Sequence, residues 1–571
     1  MFVNTVFRRF LFSLAFLVIS LYIIFRIFYP LYTSSTIFID FPSGSFNIYP
    51  EHSDLWEKLK ILYLIFFVIS NLIYSNLIYP IFFNKSNTKQ ITKLQKTQMQ
   101  DLHLVIMNNS TDTPLIIPKE GLYQNILITG TIGTGKTSSA MYPFTKQLIA
   151  FKADDSKMKL GMLILDVKGN YYNQVKKYAN FYNRKNDLTI IGLDSNIRYN
   201  PLDKPNLKAS VLANKLKTIL TLFSPNNSES YWLDKAEQVL TECIKLCRLY
   251  NNGYVTFVEL HKLITIPDYY KDKIKLLREK FLSGIFSIED IHNLYSSIEF
   301  FEKEFISLDS RTSSILKSEI TRITGCFVSD YSVQKIFCPN KSELNFHGFS
   351  DVVNKGKIVV LNMNISEYRN LSKIIAAYLK LDFQSEVMSR LAHSNSSLRS
   401  VAFISDEYHE YVTDTDSNFF AQSREAKCIN IVATQSYTSL LSSINNQYTV
   451  KVIVQNLINK FWFRTDDIFT VEDAQKQIGK EEKDKVSIGL SENSNDSNSN
   501  SIINSICSHK TSSSESISRY TQSDYIFDTN FFTRELETFS CVAFISNGSK
   551  ILSPQKLNLI PYFILDKDME I

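Results

Sequence analysis

The feature that most constrains the fold is the run Gly130-Thr131-Ile132-Gly133-Thr134-Gly135-Lys136-Thr137, set directly after the apolar stretch Asn-Ile-Leu-Ile-Thr and before a helical pattern. A glycine-rich loop between strand and helix turns backbone amides and a helix N-terminus toward a phosphate. Lys136 can then reach the β and γ oxygens, and Thr137 can sit on magnesium. Ser138 closes the cradle. With only 16 glycines in 571 residues, such a match is specific. The cofactors it calls for are ATP and Mg2+.

A phosphate loop needs a carboxylate at the end of a neighbouring strand to hold the metal, and a group to orient the attacking water. The segment Val-Ala-Phe-Ile-Ser-Asp406-Glu407 offers both. Asp406 is read as the metal carboxylate, with Thr137 as its fellow ligand, and Glu407 as the group that polarises water, a pairing that suits hydrolysis. Asp166, ending Met-Leu-Ile-Leu-Asp, competes for the metal role, and Asp166-Val-Lys168-Gly169 can equally be a strand-ending turn. Gln435, at the tip of Asn-Ile-Val-Ala-Thr434-Gln435-Ser436, is the candidate γ-phosphate sensor. Arg424 precedes that strand and could reach a neighbouring subunit's nucleotide as an arginine finger, with Arg464 as the alternative. Either arginine could equally be an ordinary surface residue.

Around these motifs, apolar strands alternate with helical segments, the pattern of a mostly parallel sheet flanked by helices. Strands are expected at Asn125–Thr129, Met162–Asp166, Leu188–Leu193, Lys357–Met363, Val401–Asp406, Cys428–Thr434, Phe461–Arg464 and Cys541–Ile545. Most are continuous apolar runs, as buried parallel strands should be. From about Leu202 to Lys341 helical periodicity takes over, with one stripe of Leu207, Val211, Leu212, Leu216, Ile219 and Leu220 and another of Val239, Leu240, Cys243, Ile244 and Cys247. The expected domains are a membrane anchor at 1–85, a first nucleotide-binding part at 86–203, an inserted all-α domain at 204–341, and a second nucleotide-binding part at 342–571. Within the last, the Ser- and Asn-rich stretch 491–518 has too little apolar surface to fold by itself and is expected as a mobile loop.

The N-terminal residues differ in kind. Phe10–Tyr32 is apolar except for Arg26, and Ile61–Phe83 carries no charge, each long enough to cross a bilayer. Arg8 and Arg9 precede the first stretch, and Lys85, Lys89, Lys93 and Lys96 follow the second. This bias places both termini and the soluble body in the cytoplasm. The net charge of +5 is too small for binding nucleic acid by bulk charge. The seven cysteines lack metal or disulfide spacing and read as reduced thiols.

The phosphate loop, Asp166-Val-Lys168-Gly169, Tyr199-Asn200-Pro201-Leu202-Asp203, Asp406-Glu407-Tyr408 and Ala433-Thr434-Gln435-Ser436 together resemble the TraG/TraD-type coupling ATPases of conjugation and type IV secretion. The resemblance spans nearly the whole chain. It departs at Val167, where that family more often has Pro, which changes a turn but removes no functional group. It implies a RecA-like P-loop NTPase in the bacterial inner membrane, a homo-hexamer, and delivery of single-stranded DNA bound to a relaxase, with other relaxosome proteins, to the type IV secretion channel components. Two other readings share features with it. An FtsK- or HerA-like double-stranded DNA translocase should add a small C-terminal DNA-reading domain, and only a tail follows Ile545. Against a nucleotide-gated substrate receptor without processive motor activity stand the intact Lys136 and Glu407. An ABC-type importer is disfavoured by the lack of a Leu-Ser-Gly-Gly-Gln stretch.

Overall fold

The computed structural model describes residues 101–108, 114–223, 230–282, 284, 287–392, 398–444, 446–494 and 511–567, with scattered positions before 101. Two compact units result, 1–100 and 101–571. In the first, Phe38–Phe41 and Gly44–Asn47 pair antiparallel. The two apolar stretches expected as membrane spans lie largely outside the described residues, among which no helix is long and apolar enough to cross a membrane.

The second unit is built on a nine-stranded sheet. Along the chain its strands are β1 (Ile126–Thr129), β2 (Gly161–Leu165), β3 (Leu188–Ile191), β4 (Ile358–Leu361), β5 (Val401–Ser405), β6 (Cys428–Thr434), β7 (Asn459–Phe463), β8 (Ser540–Phe544) and β9 (Gln555–Asn558). Their spatial order is β9-β8-β7-β1-β6-β5-β2-β4-β3. The run from β7 to β3 is parallel throughout, while β8 and β9 join antiparallel at one edge. Every residue of β1, β2, β4, β5, β6 and β7 is buried, because helices cover both faces. The period-2 alternation of strand side chains divides two cores. Leu127, Leu163, Phe403 and Val432 point to one, and Ile128, Ile164, Ile404 and Ile431 to the other.

Between β3 and β4 the long elements are all helices, from Ala209–Thr221 through Ser230–Tyr250 to Tyr331–Phe337. Their starts carry side-chain caps: Thr256 accepts from the Glu259 amide, Ser287 forms a capping box with Asp290, and Asp309 accepts from the Arg311 and Thr312 amides. Leu212, Leu216, Ile219, Val239, Leu240, Cys243, Ile244 and Cys247 are buried in one cluster with the Leu127 face of the sheet. Val211, expected on the same stripe, is 41% exposed instead, one position off the buried arc.

Tyr199-Asn200-Pro201-Leu202-Asp203 joins the two layers. Tyr199 donates to Asp382 Oδ2 at 3.0 Å, Asn200 Nδ2 to the Val255 carbonyl at 2.7 Å, and Tyr378 to the Pro201 carbonyl at 2.7 Å. Asp382 is held in turn by Lys204 at 2.7 Å and Lys215 at 3.4 Å.

Smaller elements complete the unit. His103–Ile106 and Leu115–Pro118 form a short hairpin. The stretch expected as a mobile loop, 491–518, departs from that reading at both ends. Residues 491–494 and 511–518 lie in the antiparallel strands Lys480–Ser494 and Thr511–Tyr525, and 495–510 lies outside the described residues. Ladder hydrogen bonds use the backbone, so a serine-rich strand can be paired without an apolar face.

Candidate functional site

The C-terminal ends of β1, β5, β6 and β2 converge, because these strands are neighbours and run parallel. Open parallel sheets place ligands at this edge. The loop leaving β1 is tied down on both sides. The Gly130 amide donates to the Gln435 carbonyl at 3.1 Å, and the Thr131 amide to the Arg464 carbonyl at 2.9 Å. Thr134 Oγ1 donates to the Thr131 carbonyl at 2.8 Å, and Ser138 Oγ to the Gly135 carbonyl at 3.2 Å. Ile132, at the tip, is 78% exposed.

Two glycines are demanded by space as well as by backbone angle. Gly135 has φ +95°, and a Cβ there would lie 2.4 Å from the Phe539 ring. Gly130 would place a Cβ 2.5 Å from that of Phe463. Gly133, at φ +80°, faces open space, so its requirement is conformational alone. The helix after the loop begins with a π turn, Thr137–Met141, and continues as Tyr142–Ala150.

Lys136 is buried and donates to the Gly130 and Thr131 carbonyls. Burial lowers the proton affinity of its ammonium, and Glu407 and Asp406 partly restore it. Thr137 Oγ1 donates to Asp406 Oδ2 at 2.8 Å. That bond ties the loop to β5. Asp406 is 1% exposed, and burial, reinforced by Asp166 and Glu407, raises its carboxyl above the usual range despite Lys168 and Thr137. Asp166, the competitor, accepts from the Lys168, Asn170 and Tyr171 amides at 3.0, 3.2 and 3.1 Å. Its oxygens hold the turn and the start of the helix Tyr171–Phe181.

Glu407 sits at φ +47°, a left-handed conformation that is strained for a side chain with a Cβ. It forms an ion pair with Lys168 at 2.6 Å and accepts from Gln435 Nε2 at 3.3 Å. His409 Nδ1 lies 3.8 Å from Glu407 Oε2 and 3.2 Å from Thr434 Oγ1. Burial works to raise the Glu407 carboxyl, but Lys168, with His409 and Lys136, outweighs it and holds the group below its ordinary range. Lys136, Thr137, Asp406, Glu407 and Gln435 are thus brought together. Lys168 and His409 join them; Lys168 stands in one of the motifs that carry the resemblance but was given no role of its own, and nothing in the sequence pointed to His409.

Arg424 is not brought there. It is exposed in the turn before β6, at the opposite end of that strand from Gln435. Arg464 follows β7, half-buried, with its carbonyl on the loop.

The residues fit a magnesium nucleotide: the loop presents an open Gly133 turn, its lysine is held by carbonyls rather than by an acid, and its threonine is bonded to a buried aspartate. Fold and site together define a RecA-like P-loop NTPase. Residues 110–307 match the family model of the type IV secretion-system coupling protein DNA-binding domain, which bears out over that stretch the TraG/TraD-type coupling protein that the motifs resemble. The fold is shared with solved structures of the plasmid coupling protein TrwB. The complex with the GTP analogue GDPNP has a TM-score of 0.54 at 12% identity, covering 82% of this chain and 92% of that one. The complex with ADP and Mg2+ has a TM-score of 0.52 at 12% identity, covering 80% and 94%. Comparison with curated proteins gives no match.

Proposed function

We propose that this chain is a membrane-anchored ATPase that couples ATP hydrolysis to the delivery of single-stranded DNA, or of a relaxase-bound strand, into a type IV secretion channel. The observation that carries the reading is the Thr137–Asp406 bond of 2.8 Å, which sets the acidic pair beside the phosphate loop. The match to a coupling-protein DNA-binding domain supports the cargo, and the nucleotide complexes of TrwB support the ligand.

Lys136 binds the β and γ oxygens, and Thr137 and Asp406 would hold magnesium, whose charge offsets that building on the phosphate oxygens. Glu407 accepts a proton from the attacking water as its oxygen bonds to the γ phosphorus. The bond from that phosphorus to the β,γ-bridging oxygen breaks, leaving ADP and inorganic phosphate. Gln435, which donates to Glu407, would report the γ-phosphate, and that bond supports the role. A homo-hexamer in the inner membrane, with its ATPase domains in the cytoplasm, is the assembly in which Arg424 could serve a neighbour's nucleotide.

The test is ATP turnover by the full-length chain, with and without single-stranded DNA. Stimulation by DNA is expected, with loss of turnover in Lys136→Ala and in Glu407→Gln. Turnover indifferent to every nucleic acid would favour a nucleotide-gated receptor.

A further inference from the structure

We propose that Lys168 is a mobile cation that exchanges Glu407 for the terminal phosphate of a bound triphosphate, freeing the carboxylate only when that phosphate is present. The inference rests on the hydrolytic reading of the site above and adds to it a residue that tells ATP from ADP.

Lys168 lies in the turn after β2, the sheet neighbour of β5. Its backbone is fixed. Asp166 accepts the Lys168 amide, the Ile365 amide donates to the Val167 carbonyl at 2.8 Å, and Gly169, at φ +71°, packs so closely that a Cβ would lie 3.0 Å from that of Asn364. The side chain is different: 51% of it is exposed, and its ammonium is paired with Glu407, with the buried Asp406 and Asp166 carboxylates also attracting it. Glu407 is the stationary partner, its side chain only 7% exposed and its second oxygen engaged by Gln435. Lys136 does not take the exchanging role, because its ammonium bonds loop carbonyls and not Glu407.

The chemistry sets the direction of exchange. An ammonium at 2.6 Å occupies one oxygen of the carboxylate and keeps an attacking water from it. A terminal phosphate carries about twice the charge of a carboxylate and attracts the same ammonium more strongly at equal distance. ADP has no such group at that position.

Binding separates this role from a structural one. Titrations of the full-length chain with ADP and with a non-hydrolysable ATP analogue would compare wild type, Lys168→Met, Glu407→Gln and the double variant. Lys168→Met should weaken the analogue on the order of tenfold and leave ADP within about twofold, the scale of one charge-assisted hydrogen bond. Glu407→Gln should tighten the analogue, and that gain should vanish in the Lys168→Met background. Equal losses for both nucleotides, or an undiminished gain in the double variant, would overturn the exchange. If binding behaves as expected while wild type turns over no ATP with or without DNA, the hydrolytic reading fails and nucleotide sensing by Lys168 stands.

Discussion

Lys460 shows what an ion pair withheld does to a single residue. It is 3% exposed on β7 and has no salt bridge among the described residues. It faces a cavity of about 420 Å³ lined also by Tyr437, Val454, Phe469, Asp473 and Phe544. Burial pushes its pKa down to about 8, with Asp473 pulling the other way. The folded value lies below the ordinary 10.5, so between the two the unfolded chain binds more protons and stability rises with pH. Lys460→Met should therefore stabilise the fold near neutrality, by on the order of 2 kcal/mol, and the gain should shrink as pH climbs from about 8 toward 10.5. Denaturant melts at several pH values would check it; a gain independent of pH would mean that packing, not charge, was relieved. At this scale the sequence disclosed what a local motif can hold. Lys136, Thr137, Asp406 and Glu407 stand in runs whose chemistry is recognisable without coordinates. Lys168 stood in a visible motif, but its partner, like the place of His409, depends on where β2 and β5 end relative to one another, which no spacing encodes.

Among elements, the short C-terminal helix Tyr562–Leu565 is secured by the residue that follows it. Asp566 accepts from Lys146 at 2.7 Å, Gln174 at 3.0 Å and Tyr178 at 2.9 Å, and both members of the ion pair are buried. Lys146 belongs to the helix that leaves the phosphate loop. Asp566→Ala would strand that ammonium and should cost about 3–5 kcal/mol, whereas an apolar pair at both positions should recover part of the loss, the remainder staying with the Gln174 and Tyr178 donors left without their acceptor. Equilibrium unfolding of the single and double variants decides, and equal losses would refute the assignment. Strand legibility followed burial. The strands with both faces covered were plain as apolar runs, whereas β9 is Gln-Lys-Leu-Asn and half of it is exposed, so nothing in its composition announces a strand. The Ser- and Asn-rich hairpin misled for the same reason: its pairing is carried by backbone, which composition does not report.

For the whole molecule the placement of the two arginines is decisive. Arg424 lies a full strand's length from the loop of its own chain, about 20 Å at the rise of a β-strand. It can complete a nucleotide site only across a subunit boundary. Arg424→Ala and Lys136→Ala chains, each silent alone, should then recover part of the turnover when mixed, because the first keeps an intact phosphate loop and the second an intact arginine. No recovery on mixing would move the role to Arg464 or remove it. The membrane anchor was read from two apolar stretches and their flanking charges, whereas hexamer and cargo came from resemblance, since periodicity speaks of cores and not of assemblies.

The tethering of the phosphate loop has one more implication. Its first two amides are spent on Gln435 and Arg464, the tips of the strands on either side of β1. A ligand that draws the loop inward tugs two levers at once, one leading into the helix Tyr437–Ile444 and the other into Ile468–Ile478. In the hydrolytic reading proposed above, chemistry at a single point would gain two mechanical outputs, and stiffening either lever should blunt the stroke without touching the catalyst.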